Sequence, residues 1–156
     1  MTAPTTPEFS LSVQRTLRAP IERVFAAWTD PAALQAWFHP HPAMTTPIAE
    51  VDLREGGAYR LGMKDPESGE LHIVAGQFTT VRPPEKLVFT WRWQNKSPEE
   101  SSDHDMIVTI DLKANAQKGT DLILTHDRLP NEGQRDHHEQ GWNGCLASLE
   151  THLTSD

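Results

Sequence analysis

The apolar residues of this chain change their spacing near residue 130, and that change limits what the chain can fold into. Between residues 48 and 126 they alternate with polar residues in short runs, which is typical of half-buried strands. From Trp142 to Leu153 they recur every three or four residues, which indicates an amphipathic helix. The chain therefore predicts a set of strands followed by one long helix.

Turn-forming residues separate the predicted strands, and links of this kind join antiparallel neighbours, because a parallel pair needs a crossover of a dozen or more residues. A first strand begins at Phe9 and runs to Leu17. The later strands are predicted at Ile48–Leu53, Ala58–Lys64, Leu71–Val81, Lys86–Trp93, Met106–Leu112 and Thr120–His126. We expect one antiparallel sheet folded around the last helix, an α+β fold.

Two short helices are predicted between the first strand and the second. Pro20 fits a first helical position, and the residues from there to Trp28 have helical spacing. Asp30 can cap a second helix that starts at Pro31, and the proline-rich stretch at 39–42 stops it.

Length and composition define the class of protein. A chain of 156 residues fits one domain and buries roughly 70% of its unfolded surface, so we expect a domain over residues 8–156 after a disordered tail at 1–7. Cys145 is the single cysteine, and the chain shows no signal-peptide pattern, which predicts a cytoplasmic protein without a disulfide. No apolar run reaches the ~20 residues of a membrane span, so membrane insertion is not expected. The net charge of -8 argues against nucleic acid as a partner.

Several segments in chain order resemble the family named for the activator of the heat-shock-protein-90 ATPase. They are RAPIERVFAAWTDP at 18–31, LQAWF at 34–38, LREGGAY at 53–59, GQF at 76–78, PEKLVFTW at 84–91, and Gly141 and Trp142 with Leu146 and Leu149. The resemblance implies the helix-grip fold of the START-like, Bet v-like and polyketide-cyclase (SRPBCC) superfamily. In that fold a curved antiparallel sheet surrounds a long C-terminal helix, and two short helices follow strand one.

Polar residues that interrupt an apolar strand face are candidates for ligand contacts, because a polar group in a packed core costs about 1–3 kcal/mol if it has no partner. Three positions fit this description, namely Arg15, Gln77 and His126. The alternative interpretation is that each lies at a strand end and contacts solvent or a neighbouring residue. His138 lies four residues before Trp142, so it becomes a fourth polar cavity contact if both face the sheet.

Large apolar residues supply the predicted walls. The strand ending at Trp93 carries Trp91 on the same face, and aromatic rings can line a pocket as readily as they fill a core. In the fold that the resemblance implies, Phe38, Met63 and Trp142 lie nearby.

The histidines and the cysteine do not form a recognisable reactive site. His137 and His138 are adjacent on a helix and point about 100° apart, and HExxH and CxxC spacings are lacking, so we expect no metal. Cys145 lies in an apolar helical stripe without an activating neighbour, which is typical of a core residue. We predict no catalytic residue and no cofactor.

These features favour a stress-related protein that binds a small apolar, aromatic or lipid-like ligand in the cavity, and they favour binding over catalysis. Two alternatives stay open. One is a polyketide-cyclase-like enzyme that uses His126, and the other is a chaperone accessory or protein-interaction module that binds a chaperone or a regulator, because fold alone is a poor guide to function. The sequence does not indicate the oligomeric state.

Overall fold

A computed structural model describes residues 9–94 and 105–154. These residues form seven strands and three helices. In chain order they are β1 (Phe9–Leu17), α1 (Ile21–Thr29), α2 (Pro31–Trp37), β2 (Thr45–Val51), β3 (Ala58–Lys64), β4 (Leu71–Arg82), β5 (Lys86–Trp93), β6 (Met106–Ala114), β7 (Thr120–Leu129) and α3 (Glu132–Thr154). The predicted order of elements is confirmed. The tail predicted at residues 1–7 lies outside the described residues.

The strands form one sheet in the order β1-β7-β6-β5-β4-β3-β2, and every neighbouring pair is antiparallel. The register shifts between Phe78 and Thr80, where β4 pairs with β5, and again in both edge pairs. Such shifts are β-bulges, which bend a strand and increase its twist. They favour the curvature with which the sheet surrounds the last helix.

Helix α3 packs against β1 and β7 and against α2. Its buried stripe includes Leu146, Leu149 and Leu153, and the first two have no exposed surface. Burying a leucine side chain contributes about 1.5–3 kcal/mol, so this stripe is a main source of the free energy that holds the helix to the sheet. The helix-grip architecture that the sequence predicts is confirmed. In the described ranges, none of the helices is long and apolar enough to cross a membrane.

The two short helices pack through one buried tryptophan. The Asp30 carboxylate accepts a hydrogen bond from the backbone N–H of Ala32 at 3.3 Å and so caps α2, as predicted. The indole N–H of Trp37 then donates to the carbonyl of Ala27 in α1 at 2.8 Å. This contact fixes the end of α2 and places Phe38, the next residue, inside the protein.

The prediction for β4 was wrong about which face of the strand is buried. The alternation that starts at Leu71 and ends at Gln77 predicted that these odd-numbered residues face the core. In the structure Val74 and Phe78 are the buried residues, at 0% and 4% exposure, while Gln77 is exposed. Both sets are largely apolar because the outer face of this strand is half-buried, so alternation alone could not choose between them.

Helix α3 approaches the segment after α2 so closely that one position accepts only glycine. A Cβ atom at Gly144 would overlap the backbone carbonyl of Pro40. At Gly141, one turn earlier, no described atom beyond the adjacent residues and the backbone of the helix itself lies within 4 Å of the position that a Cβ would take. Gly144 is therefore tightly packed, whereas Gly141 of the same helix borders free space.

Replacing Gly144 with alanine should destabilise the protein by about 1–3 kcal/mol, because the helix must move away from Pro40. Gly141→Ala is the matched control and should stabilise it by up to about 1 kcal/mol, since alanine is the better helix former. Urea unfolding of both variants measures the two effects. Equal stabilisation by both would show that α3 does not lie this close to Pro40.

Candidate functional site: a tryptophan-walled cavity

A cavity of about 680 Å³ lies between β3, β4 and β5 on one side and the first half of α3 on the other. Its apolar wall consists of Phe38, Pro40, Met44, Met63, Trp91, Trp93, Trp142 and Cys145. Its polar lining consists of Asp65, Glu70, His72, Gln134, His137 and His138. Glu70 and His137 are exposed, so these residues mark the side that opens to solvent. The volume is within the range of about 300–1,000 Å³ that small-molecule sites occupy.

Trp91 is at the centre of the apolar wall. Its ring centroid lies 4.9 Å from that of Trp142, 5.4 Å from that of Trp93 and 6.3 Å from that of Phe38. Tilted and edge-to-face ring pairs at these distances each contribute about 0.5–1.5 kcal/mol beyond the area they bury. The rings therefore hold one another in place.

His138 joins the helix side of the cavity to the strand side. The indole N–H of Trp93 donates to its Nε2 at 2.9 Å, so this nitrogen carries no proton. Its Nδ1 then carries the proton and donates to the carbonyl of Gln134 at 2.8 Å. Burial lowers the pKa of His138, and the neighbouring His137 lowers it too, while the hydrogen bond to Gln134 acts in the opposite direction. The imidazole is neutral and its tautomer is fixed.

A second histidine, His126, also accepts a hydrogen bond from a tryptophan, deeper in the protein than His138. It is fully buried on β7, and its Nδ1 accepts a hydrogen bond from the indole N–H of Trp142 at 2.9 Å. Burial lowers its pKa well below the ordinary value, and the ring of His138, 4.9 Å away, adds to this effect. Its Nε2 has no partner among the described residues. Two tryptophan–histidine pairs therefore connect β5 to α3 and α3 to β7.

Six of the nine residues predicted for the cavity lie on its surface. They are Phe38, Met63, Trp91, Trp93, His138 and Trp142. The condition set for His138 is met, since His138 and Trp142 are both buried and both face the sheet. That these residues bind a ligand stays a prediction.

The three predicted polar strand positions lie away from the cavity surface. Gln77 is on the outer face of β4, because that strand presents its other side to the core. Arg15 reaches α3 instead, where it donates to the Asn143 side chain at 2.9 Å and lies 3.4 Å from the Glu150 carboxylate. His126 is behind the wall, covered by Trp91 and Trp142.

Several cavity residues were missed by the sequence analysis, and some carried a usable signal. His72 shares the inner face of β4 with Val74, so the correct face would have identified it. Gln134, His138 and Cys145 follow the helical stripe towards its start, and extending the stripe backwards from Trp142 would have found Gln134. Met44 lies between α2 and β2, where no periodicity exists to place it.

Gly141 keeps the helix side of the cavity open. It lines the cavity, and a Cβ built there meets no described atom of another segment within 4 Å. Glycine in the middle of a helix costs about 0.5–1 kcal/mol relative to alanine. Unlike Gly144, Gly141 is not required by a close contact with another segment. Its effect is to leave free space in the cavity.

The wall presents aromatic and apolar surface rather than reactive groups. Burial raises the pKa of the Cys145 thiol to about 12, so the reactive thiolate does not form at neutral pH. Both nitrogens of His138 are engaged in hydrogen bonds. Within the ranges that the structure describes, no group of three or more His, Cys, Asp or Glu side chains is arranged to hold a metal ion.

Because the buried histidines are neutral, we predict that the free energy of unfolding falls as the pH drops below about 6.5. Burial lowers the pKa of His126 and of His138 in the folded protein, whereas the unfolded chain takes up these protons near the ordinary pKa. The unfolded state then binds more protons, so each histidine removes up to about 1.4 kcal/mol per pH unit below that point and nothing above it. Urea unfolding between pH 7.5 and pH 5 measures the slope.

His138→Gln should make this slope shallower, because glutamine offers Trp93 an acceptor but takes up no proton. His41→Gln replaces an exposed histidine outside the cavity surface and is the control. An identical slope in the wild type and in His138→Gln would contradict the assignment of His138 as a buried neutral group.

Known proteins of the same architecture were found by sequence and by structure. The family model described as "Activator of Hsp90 ATPase homolog 1-like protein" matches residues 18–154. A crystal structure of a Chromobacterium violaceum protein is 30% identical, has a TM-score of 0.81, and is matched over 95% of this chain and 99% of that one. A Nitrosomonas europaea protein is 29% identical, with a TM-score of 0.75 and coverages of 92% and 93%. A comparison with curated proteins gives no match.

A crystal structure of an AHSA1 protein from Silicibacter pomeroyi agrees with these matches. It is 27% identical, with a TM-score of 0.79, and the match covers 93% of this chain and 97% of that one. The family model spans most of the sequence, and the Chromobacterium violaceum structure covers nearly all of it. The resemblance in the sequence is therefore confirmed, and the chain belongs to the family of activator of Hsp90 ATPase homolog 1-like proteins.

Proposed function

We propose that this protein binds a small apolar or aromatic molecule in the tryptophan-walled cavity and acts as a carrier or sensor of it. The observation that supports the proposal is the combination of a cavity of about 680 Å³ with a wall of mutually packed aromatic rings. A flat ring of the ligand can stack against such a wall, and hydrophobic transfer would supply most of the binding free energy.

The open position at Gly141 supports binding over simple core packing. A core that only needed to be filled would gain free energy from a side chain at this helix position, both through burial and through helix propensity. The chain instead has glycine there, facing the cavity. Space for a guest accounts for this choice.

The state of His126, His138 and Cys145 favours binding over catalysis by these three groups. A general base needs a free lone pair within reach of the substrate, and His138 uses its own to accept from Trp93. His126 lies behind the wall and accepts from Trp142. A buried thiol with a pKa of about 12 is not a nucleophile at neutral pH.

Filling the cavity from Gly141 tests the proposal. Gly141→Phe projects a ring from a helix position where an added Cβ has free space, so we expect the ring to block the cavity while leaving the helix intact. Titration of the wild type with the neutral fluorescent probe N-phenyl-1-naphthylamine should show saturable binding. The variant should bind the probe at least about tenfold more weakly, since it removes the aromatic contact surface.

Gln140→Phe is the matched control, because it adds the same ring to an exposed position on the same helix. It should bind the probe as the wild type does, and both variants should retain the wild-type melting temperature within a few degrees. Failure of the wild type to bind, or equal binding by Gly141→Phe, would refute the proposal.

A further inference from the structure

The hydrogen bond between Trp93 and His138 is a contact in the cavity wall that a proton would break. It joins the last residue of β5 to the first half of α3, and both side chains line the cavity. The Nε2 atom of His138 accepts the indole N–H, and its Nδ1–H is donated to the carbonyl of Gln134. A proton can therefore add only at Nε2, the atom that holds Trp93.

Protonation at Nε2 would place two N–H groups opposite each other. The Trp93 indole would lose this acceptor, and a buried donor without an acceptor is unfavourable. Trp93 is half-buried, whereas Trp91 and Trp142 are almost fully buried, so Trp93 is the tryptophan of the wall that can turn away. The proton would thus displace one aromatic ring of the wall and add a positive charge beside it.

The second buried histidine, His126, does not relieve this charge. Its ring centroid lies 4.9 Å from that of His138, and its Nδ1 already accepts the indole N–H of Trp142. A proton on that atom would break the bond to Trp142 in the same way, and two positive charges at this distance repel each other. The neutral state of both rings is therefore the one in which both tryptophan–histidine bonds are formed.

The other titratable groups around His138 act in both directions. Burial is the largest influence and lowers its pKa, the carbonyl that accepts its Nδ1–H raises it, and the adjacent His137 on α3 lowers it. On the strand side of the cavity, the carboxylates of Asp65 and Glu70 also favour a proton, and Glu70 lies 4.0 Å from the imidazole of His72. Burial outweighs the groups that favour the charge, so His138 is neutral at pH 7.5.

An apolar ligand in the cavity would bury His138 further. It would displace the water next to the wall, and desolvation disfavours the charged form of an imidazole. The ligand and the proton would therefore oppose each other. Such coupling is reciprocal, so a proton weakens the binding of the ligand by the same factor as the ligand weakens the binding of the proton.

We propose that ligand binding in the cavity is linked to the protonation of His138, so that the protein holds its ligand near neutral pH and releases it on acidification. This inference rests on the proposed binding function and adds its regulation. His138 acts here as a positioning residue, through Trp93. The affinity should be constant above about pH 6.5 and should fall as the pH drops below that value, by no more than about tenfold per pH unit.

Titration with N-phenyl-1-naphthylamine, which stays neutral between pH 7.5 and pH 5, measures the linkage. The dissociation constant of the wild type should rise at least about threefold over this range. His138→Gln should give the same constant at both pH values, because its Oε1 atom can accept the Trp93 N–H but takes up no proton. Circular dichroism at each pH gives the folded fraction to which the constants are referred.

His137→Gln is the matched control, because it removes an exposed histidine from the neighbouring position, which also lines the cavity. Its affinity should still fall on acidification. The fall should begin at a slightly higher pH, since loss of the nearby charge lets His138 take up its proton more easily. A dissociation constant independent of pH in His137→Gln would assign the linkage to the wrong histidine and overturn the proposal.

The indole N–H signal of Trp93 reports the same event without a ligand. In a nitrogen–proton correlation spectrum, Trp93→Phe identifies this signal by its loss. The signal should shift as the wild type is acidified from pH 7.5 to pH 5, and it should hardly move in His138→Gln. A signal that does not move in the wild type would show that the bond to His138 survives acidification.

The outcomes separate this inference from the function on which it rests. Binding at pH 7.5 with an unchanged constant at pH 5 would overturn the linkage alone. An equal loss of affinity in the wild type and in His138→Gln would do the same. If the wild type does not bind the probe at pH 7.5, the proposed function fails, and its regulation fails with it.

Discussion

Helix α3 meets the rest of the protein at two different distances, and the cavity depends on that difference. In its second half the helix is in close contact, since Leu146 and Leu149 are fully buried and Gly144 lies against the carbonyl of Pro40. In its first half it stands away from the sheet, and Gly141 faces open space. One rigid helix thus seals one end of the curved sheet and leaves the other end open.

Two hydrogen bonds cross the open end between the strands and the helix. A cavity wall made of tryptophans contains indole N–H groups, and a buried donor without an acceptor costs about 1–3 kcal/mol. Trp93 and Trp142 donate to the neutral imidazoles of His138 and His126, whereas the buried Nε1 of Trp91 has no hydrogen-bond partner among the described residues. These side-chain pairs connect the strands to the helix. Hydrogen bonds therefore position Trp93 and Trp142, while the aromatic rings form the apolar surface of the cavity.

Most of the fold could be predicted because its elements have strong and separate periodicities. The strands alternate, α3 repeats every three to four residues, and Asp30 with Pro31 marks the start of α2. The face of β4 could not be predicted, because both of its faces carry apolar residues and the choice depends on pairing with β5. That single ambiguity placed Gln77 in the cavity and left out His72.

The site was predictable where it depends on large side chains and less so where it depends on partners. Trp91, Trp93 and Trp142 were found from their position on apolar stripes. Arg15 looked the same in sequence as a ligand contact, but its partners Asn143 and Glu150 lie more than a hundred residues away. Only the fold brings such partners together. The sequence alone therefore could not distinguish a cavity residue from one that pairs with a distant side chain.

A crystal structure of the protein grown with 6-bromo-2-naphthalenemethanol would show whether the cavity binds an aromatic molecule, because bromine can be located by its anomalous scattering. We expect a bromine peak in the cavity, beside Trp91 and within van der Waals distance of Gly141. A cavity filled by the side chains of Trp142 or Met44, with bromine only on the outer surface, would contradict it.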